Sequence, residues 1–176
     1  MTRALPTVAL LLLACGPVPE GRPQPDGGPA PDAGGTPDAG EAPDGGQPLD
    51  TSEAGLVAFF KTSAYRSWRA EAAPHPSSGP HSGKVRTFVN DALYDSLKAG
   101  AGRHPRGSVV VKELLDGTGT TLTGIAIDVK DQDGTWVFLE GFAPSFTGYY
   151  YRGTQNLCGN CHQAGADFVL TPKSAL

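Results

Sequence analysis

Beyond its first residue the chain contains no methionine; the only one among 176 residues is Met1. Cysteine is almost as scarce, with Cys15, Cys158 and Cys161 making up the whole complement. No second Cys-x-x-Cys accompanies the Cys158–Cys161 pair, which excludes a zinc site built on two such pairs. No basic cluster stands out in a chain of net charge −4, and this argues against nucleic acid as a partner. The apolar run Ala4–Ala14 is too short to span a bilayer as a permanent helix.

What the N-terminus does contain is a positive residue, Arg3, followed by that apolar run and small residues before Cys15. This is the pattern of a signal peptide over residues 1–14. Leu12–Cys15, "LLAC", also fits a bacterial lipobox, in which cleavage precedes the cysteine and Cys15 then carries lipid. The plainer alternative is an ordinary signal peptide with a chance cysteine. After it, residues 15–50 repeat Pro-Asp-Ala-Gly and Pro-Asp-Gly-Gly, with almost nothing apolar larger than alanine. Such a segment buries too little surface to offset the entropy of ordering, so it is expected to be a disordered spacer. Together these features predict a domain tethered through Cys15 on the periplasmic or cell-surface side of a bacterial membrane. Residues 51–176 remain, long enough for one core but not for two.

Near the C-terminus stands "NLCGNCHQAG", in which Cys158, Cys161 and His162 form Cys-x-x-Cys-His. That spacing is the signature of covalent haem attachment, with two thioethers and a histidine as proximal iron ligand. Two other readings compete. A zinc site needs three or four ligands and would have to recruit His75, His81 or His104. A redox dithiol expects a strand-to-helix context near a βαβ unit. If His162 ligates iron, the loss of Met1 with the leader rules out a His/Met electron carrier. The remaining sixth-ligand candidates, His75, His81 and His104, all lie in Gly/Pro-rich loops, where histidines are usually solvated. Five-coordinate iron with an open face is therefore expected, and such iron binds or transforms small molecules. A simple electron-transfer cytochrome would need one of those loop histidines.

The fold expectation is α+β, an antiparallel sheet of four or more strands with helices at its margins. "TSEAGLVAFFKTSAYRSWR" predicts an amphipathic helix capped by Thr51 or Ser52, with Leu56, Phe59 and Phe60 on one face. "KVRTFVND" alternates as a strand, with Val85, Thr87 and Val89 on one side and Arg86 and Phe88 on the other. "DALYDSLKAG" predicts a short helix closed by Gly100. "GSVVVKELLD", "TLTGIAIDVKD" and "GTWVFLEGF" predict three strands joined by the turns "DGTGT" and "DQDG". Lys112 interrupts the first of these. It shares parity with Val110 and Leu114, so it either faces solvent while Val109 and Val111 face in, or it is buried and needs a partner or a reaction.

"KVRTFVND", "YDSLKAG", "GSVVVKELL", "LTGIAIDVKD" and a terminal "CGNCHQAGADFVLT", in that order, resemble the cytochrome P-460 family, including the related cytochromes c′-beta. The likeness runs from about Ala64 to Pro172. It implies haem c, one per chain, held by Cys158, Cys161 and the axial ligand His162. In cytochromes P-460 the lysine of the "VKEL" strand is also bonded to the macrocycle, and it maps to Lys112. The family's distal arginine maps to Arg86. The implied activity is oxidation of hydroxylamine or nitric oxide at five-coordinate iron, with electrons passed to an acceptor. The alternative, of the c′-beta kind, is binding of nitric oxide or carbon monoxide without turnover. Active members carry a glutamate in the next strand, where this chain has Ala126, and Asp128, of the same parity, is the candidate substitute. Oligomeric state is left open, a homodimer included.

Overall fold

The computed structural model describes residues 49–176 except 82, 144, 155 and 156. The expected leader, Cys15 and the linker as far as residue 48 lie outside the described residues.

The first helix, α1 (Glu53–Thr62), starts where Ser52 accepts a hydrogen bond from the Gly55 N–H at 3.1 Å. It ends at Ser63, which adopts the left-handed conformation and returns its N–H to the Phe60 carbonyl. Two short strands follow, β1 (Arg69–Ala70) and β2 (His75–Pro76), neither of which the sequence pattern predicts. Both pair with the outer edge of β3 (Lys84–Val89). Helix α2 (Asp91–Ala99) is closed by Gly100 at φ 70, as its sequence predicts, and capped at its start by the Asn90 side chain.

The three predicted strands form as β4 (Val109–Leu115), β5 (Leu122–Lys130) and β6 (Trp136–Phe142), and a short β7 (Tyr151–Gly153) completes the sheet. All pairings are antiparallel, in the order β1-β3-β4-β5-β6-β7, giving seven strands with flanking helices among the described residues. The fold is α+β. After β7 a single helical turn, α3 (Leu157–His162), carries both C-terminal cysteines.

Both faces of this sheet are covered. On one, Val109, Val111, Ile125, Ile127, Val129, Val137 and Leu139 pack against Leu56, Phe60 and Tyr65 from the N-terminal elements. On the other, Val89, Val110, Trp136 and Phe138 pack against Leu93 of α2 and Val169 of the C-terminal segment. Each such buried side chain contributes about 1.5–3 kcal/mol, so neither face is dispensable. This is why β4 reads as an almost unbroken apolar run and why parity alone does not orient Lys112. Among the described residues no helix is long and apolar enough to cross a membrane.

Candidate functional site

Spacing places Cys158, Cys161 and His162 together. Positions three and four apart on a helical turn are neighbours, so the two thiols and the imidazole lie on one side of α3. Neither thiol is in a disulfide, and both are half-buried.

His162 is buried at 8 % exposure, with its ring inclined at 67° to that of Phe138 at a centroid separation of 5.0 Å. Its Nδ1 lies 3.1 Å from the Phe168 carbonyl and 3.5 Å from an Asp128 carboxylate oxygen. A carbonyl accepts only from an N–H, so Nδ1 carries the proton and the Nε2 lone pair is left to coordinate. The Phe168 carbonyl is itself held in place. Asp167 and Phe168 both adopt left-handed backbone, at φ 45 and φ 68, in a hook that folds back over Gly165. A Cβ on Gly165 would run into the Val169 carbonyl. Lys130, 4 % exposed, fastens this hook to the sheet by donating to Asp167 Oδ2 at 2.5 Å and to the His104 carbonyl at 2.9 Å. The His104 N–H donates to the same carboxylate oxygen at 2.8 Å.

Beneath α3, cross-strand register arranges the sheet in rows. One row holds Thr87, Lys112, Ala126 and Glu140, with Tyr151 beyond Glu140. The adjacent row holds Val89, Val110, Asp128 and Phe138. Lys112 is therefore on the face that carries His162, half-buried, and its charge acts on both Asp128 and Glu140. Gly124 and Ala126 keep the floor of this region low, while Phe142 and Leu157 remain 68 % and 71 % exposed beside it. Two thiols outside any disulfide on one turn, an imidazole in a fixed tautomer, a shallow floor and bare apolar side chains all suit a flat apolar macrocycle.

Two expected site residues fall elsewhere. Arg86 pairs across the sheet with Glu113, on the face covered by α1, where its Nε donates to the Glu71 carbonyl and its guanidinium lies over Phe88. The structure does not bring it to Lys112 or His162, because alternation sends it through the sheet from Thr87. Asp128 does share the face of Lys112, but one row deeper. Its carboxylate meets the Nδ1 edge of His162, on the opposite side of the ring from the Nε2 lone pair. Parity gives the face; the row decides the role.

The residue missed in the sequence is Glu140. It stands directly across from Ala126, accepts the Tyr150 hydroxyl at 2.5 Å and lies 3.7 Å from His81 Nδ1. The His81 contact holds its carboxyl below the ordinary glutamate range against burial, and Tyr150 adds to that effect. The cue was present in "WVFLEGF", where one charge interrupts an apolar strand as Lys112 interrupts its own.

The loop histidines separate clearly. His104 is not solvated. It is 3 % exposed, and its Nδ1 and Nε2 face the Ser96 hydroxyl and the Ala166 carbonyl. His75 contacts Glu71 and the Pro76 carbonyl. Only His81 approaches the row of Lys112 and Glu140. Among the described residues no three His, Cys, Asp or Glu side chains converge to hold a metal ion, so the zinc reading finds no ligand set there. Burial pushes the Cys158 thiol up despite a hydrogen bond with Tyr151, and Asp128 and Glu140 push it further. A redox dithiol needs the opposite shift.

Neither models of known protein families nor curated proteins match this chain.

Proposed function

We propose that this domain binds one haem c covalently and uses it, in the manner of the cytochromes P-460, to oxidise hydroxylamine or nitric oxide. The observation that carries the reading is His162, whose Nδ1–H is committed to Phe168 while two thiols outside any disulfide share its helical turn. In the proposed role Cys158 and Cys161 would hold the haem through thioethers, His162 would ligate its iron and Lys112 would give a third covalent link. Haem bound there supplies an iron that takes a small nitrogen ligand and withdraws electrons from it, to be passed to an acceptor protein. Oxidation of hydroxylamine releases protons as well, and Glu140, ionised and backed by His81, is the base suited to receive them. Ala126 is then no deficit, because the carboxylate comes from the neighbouring strand. Cys15 and the Pro/Asp/Gly-rich spacer would tether the domain outside the cytoplasm.

The test is production in a host that matures c-type cytochromes. The purified protein is expected to be coloured, to carry haem mass on the Cys158–His162 peptide, and to reduce an artificial acceptor when given hydroxylamine. Haem without acceptor reduction would move the protein to the gas-binding, c′-beta-like reading. Colourless protein, or zinc in place of iron, would sink both.

A further inference from the structure

The His162 Nδ1–H donates to one group and lies beside another: the Phe168 carbonyl at 3.1 Å and the Asp128 carboxylate at 3.5 Å. Phe168 offers a neutral carbonyl and Asp128 a carboxylate. Asp128 sits in mid-β5 with Val110 and Phe138 as its cross-strand neighbours, and its side chain is 11 % exposed. Placing a carboxylate among apolar neighbours is costly unless its charge is used. The hook carrying Phe168 is fastened from behind by Lys130 and Asp167, while Asp128 is fixed by the sheet. The imidazole is thus gripped from two directions, and neither grip depends on a mobile side chain at the surface.

We propose that Asp128 is a positioning residue for His162: its carboxylate, set beside the Nδ1–H that the Phe168 carbonyl accepts, orients the ring through its charge and makes Nε2 a stronger electron donor. The proposal rests on the haem reading above and goes beyond it. A ligand histidine whose second nitrogen is drawn on by a carboxylate is more basic, and a nearby negative charge favours the more positive oxidation state of the metal. Asp128 would therefore favour the ferric form of an iron held at Nε2 and lower its reduction potential.

Asp128→Asn keeps the side-chain volume and an acceptor oxygen while removing the charge. In the holoprotein its midpoint potential is expected to rise by about 59 mV or more, a tenfold change in the one-electron equilibrium. The iron–histidine stretch of the ferrous form should fall in frequency, and Asp128→Glu should restore part of both. An unchanged potential and stretch in Asp128→Asn would overturn the role of Asp128 alone. Should that variant fail to accumulate, the wild-type stretch is compared with that of the excised haem peptide, in which His162 ligates iron without Asp128 beside it. A higher frequency in the protein supports the proposal, and an equal or lower one overturns it. Wild-type protein that takes up no haem overturns this role and the proposed function together.

Discussion

Glu140 faces Ala126 across the β5–β6 ladder, so the sheet supplies a carboxylate one strand away from the position where the family resemblance looks for it. Directly opposed residues lie about 4.5–5.5 Å apart at Cβ, which a glutamate side chain easily bridges. Glu140→Gln is therefore expected to lower hydroxylamine turnover by about 10²–10⁴-fold, the usual contribution of a general base. Covalent haem content should not change. Full turnover in this variant, measured by acceptor reduction at equal haem concentration, would remove Glu140 from the mechanism.

Lys112 shares that row and lies two strands from Glu140. With Lys112→Arg the haem is expected to remain on its two thioethers, while the haem-linked Lys112 peptide disappears from the tryptic mass spectrum. The Soret band should move toward that of an ordinary c-type protein. Identical spectra for wild type and variant would mean that no bond forms at Lys112.

The Lys130–Asp167 pair predicts a stability effect that needs no cofactor. Lys130→Met leaves the largely buried Asp167 carboxylate without its cation, a change that typically costs about 3–5 kcal/mol. Burial by itself would raise the Asp167 carboxyl, but Lys130 and the His104 N–H hold it below its ordinary value. Denaturant midpoints should show Lys130→Met and Asp167→Asn each destabilising, with the double variant less affected than the sum. Strict additivity would mean that the two groups act independently.

His104 gives a pH dependence of known sign. Burial holds its imidazole below the ordinary value of 6.5, and the hydrogen bonds to Ser96 and Ala166 fit the neutral ring. As pH falls through 6.5 the unfolded chain takes up a proton that the folded one resists. Stability is thus fully present above that value and declines below it, until the folded group itself titrates. Between about pH 7.5 and about pH 5.5 the wild type should lose more stability than His104→Gln, measured as the difference in denaturant midpoints. Parallel curves would show that His104 contributes nothing to the slope.

Much of this was legible along the chain. The cap of α1, the Gly100 stop of α2, the three long strands and their turns follow from local propensity and period, which act over a few residues. Cys158, Cys161 and His162 announce themselves by spacing, because a helical turn makes such positions neighbours wherever it is placed. Non-local pairing was not legible. β1, β2 and β7 are two or three residues long and exist only because a longer strand offers an edge. Asp128 and Glu140 have the same alternation along their strands. Yet register sets one against the Nδ1 edge of His162 and the other across from Ala126. The chain alone determined that Cys158, Cys161 and His162 stand side by side on one turn, since spacing is a property of the sequence. Only the tertiary structure decided which carboxylate grips the histidine and which faces Lys112's row, since that depends on how strands far apart in sequence align.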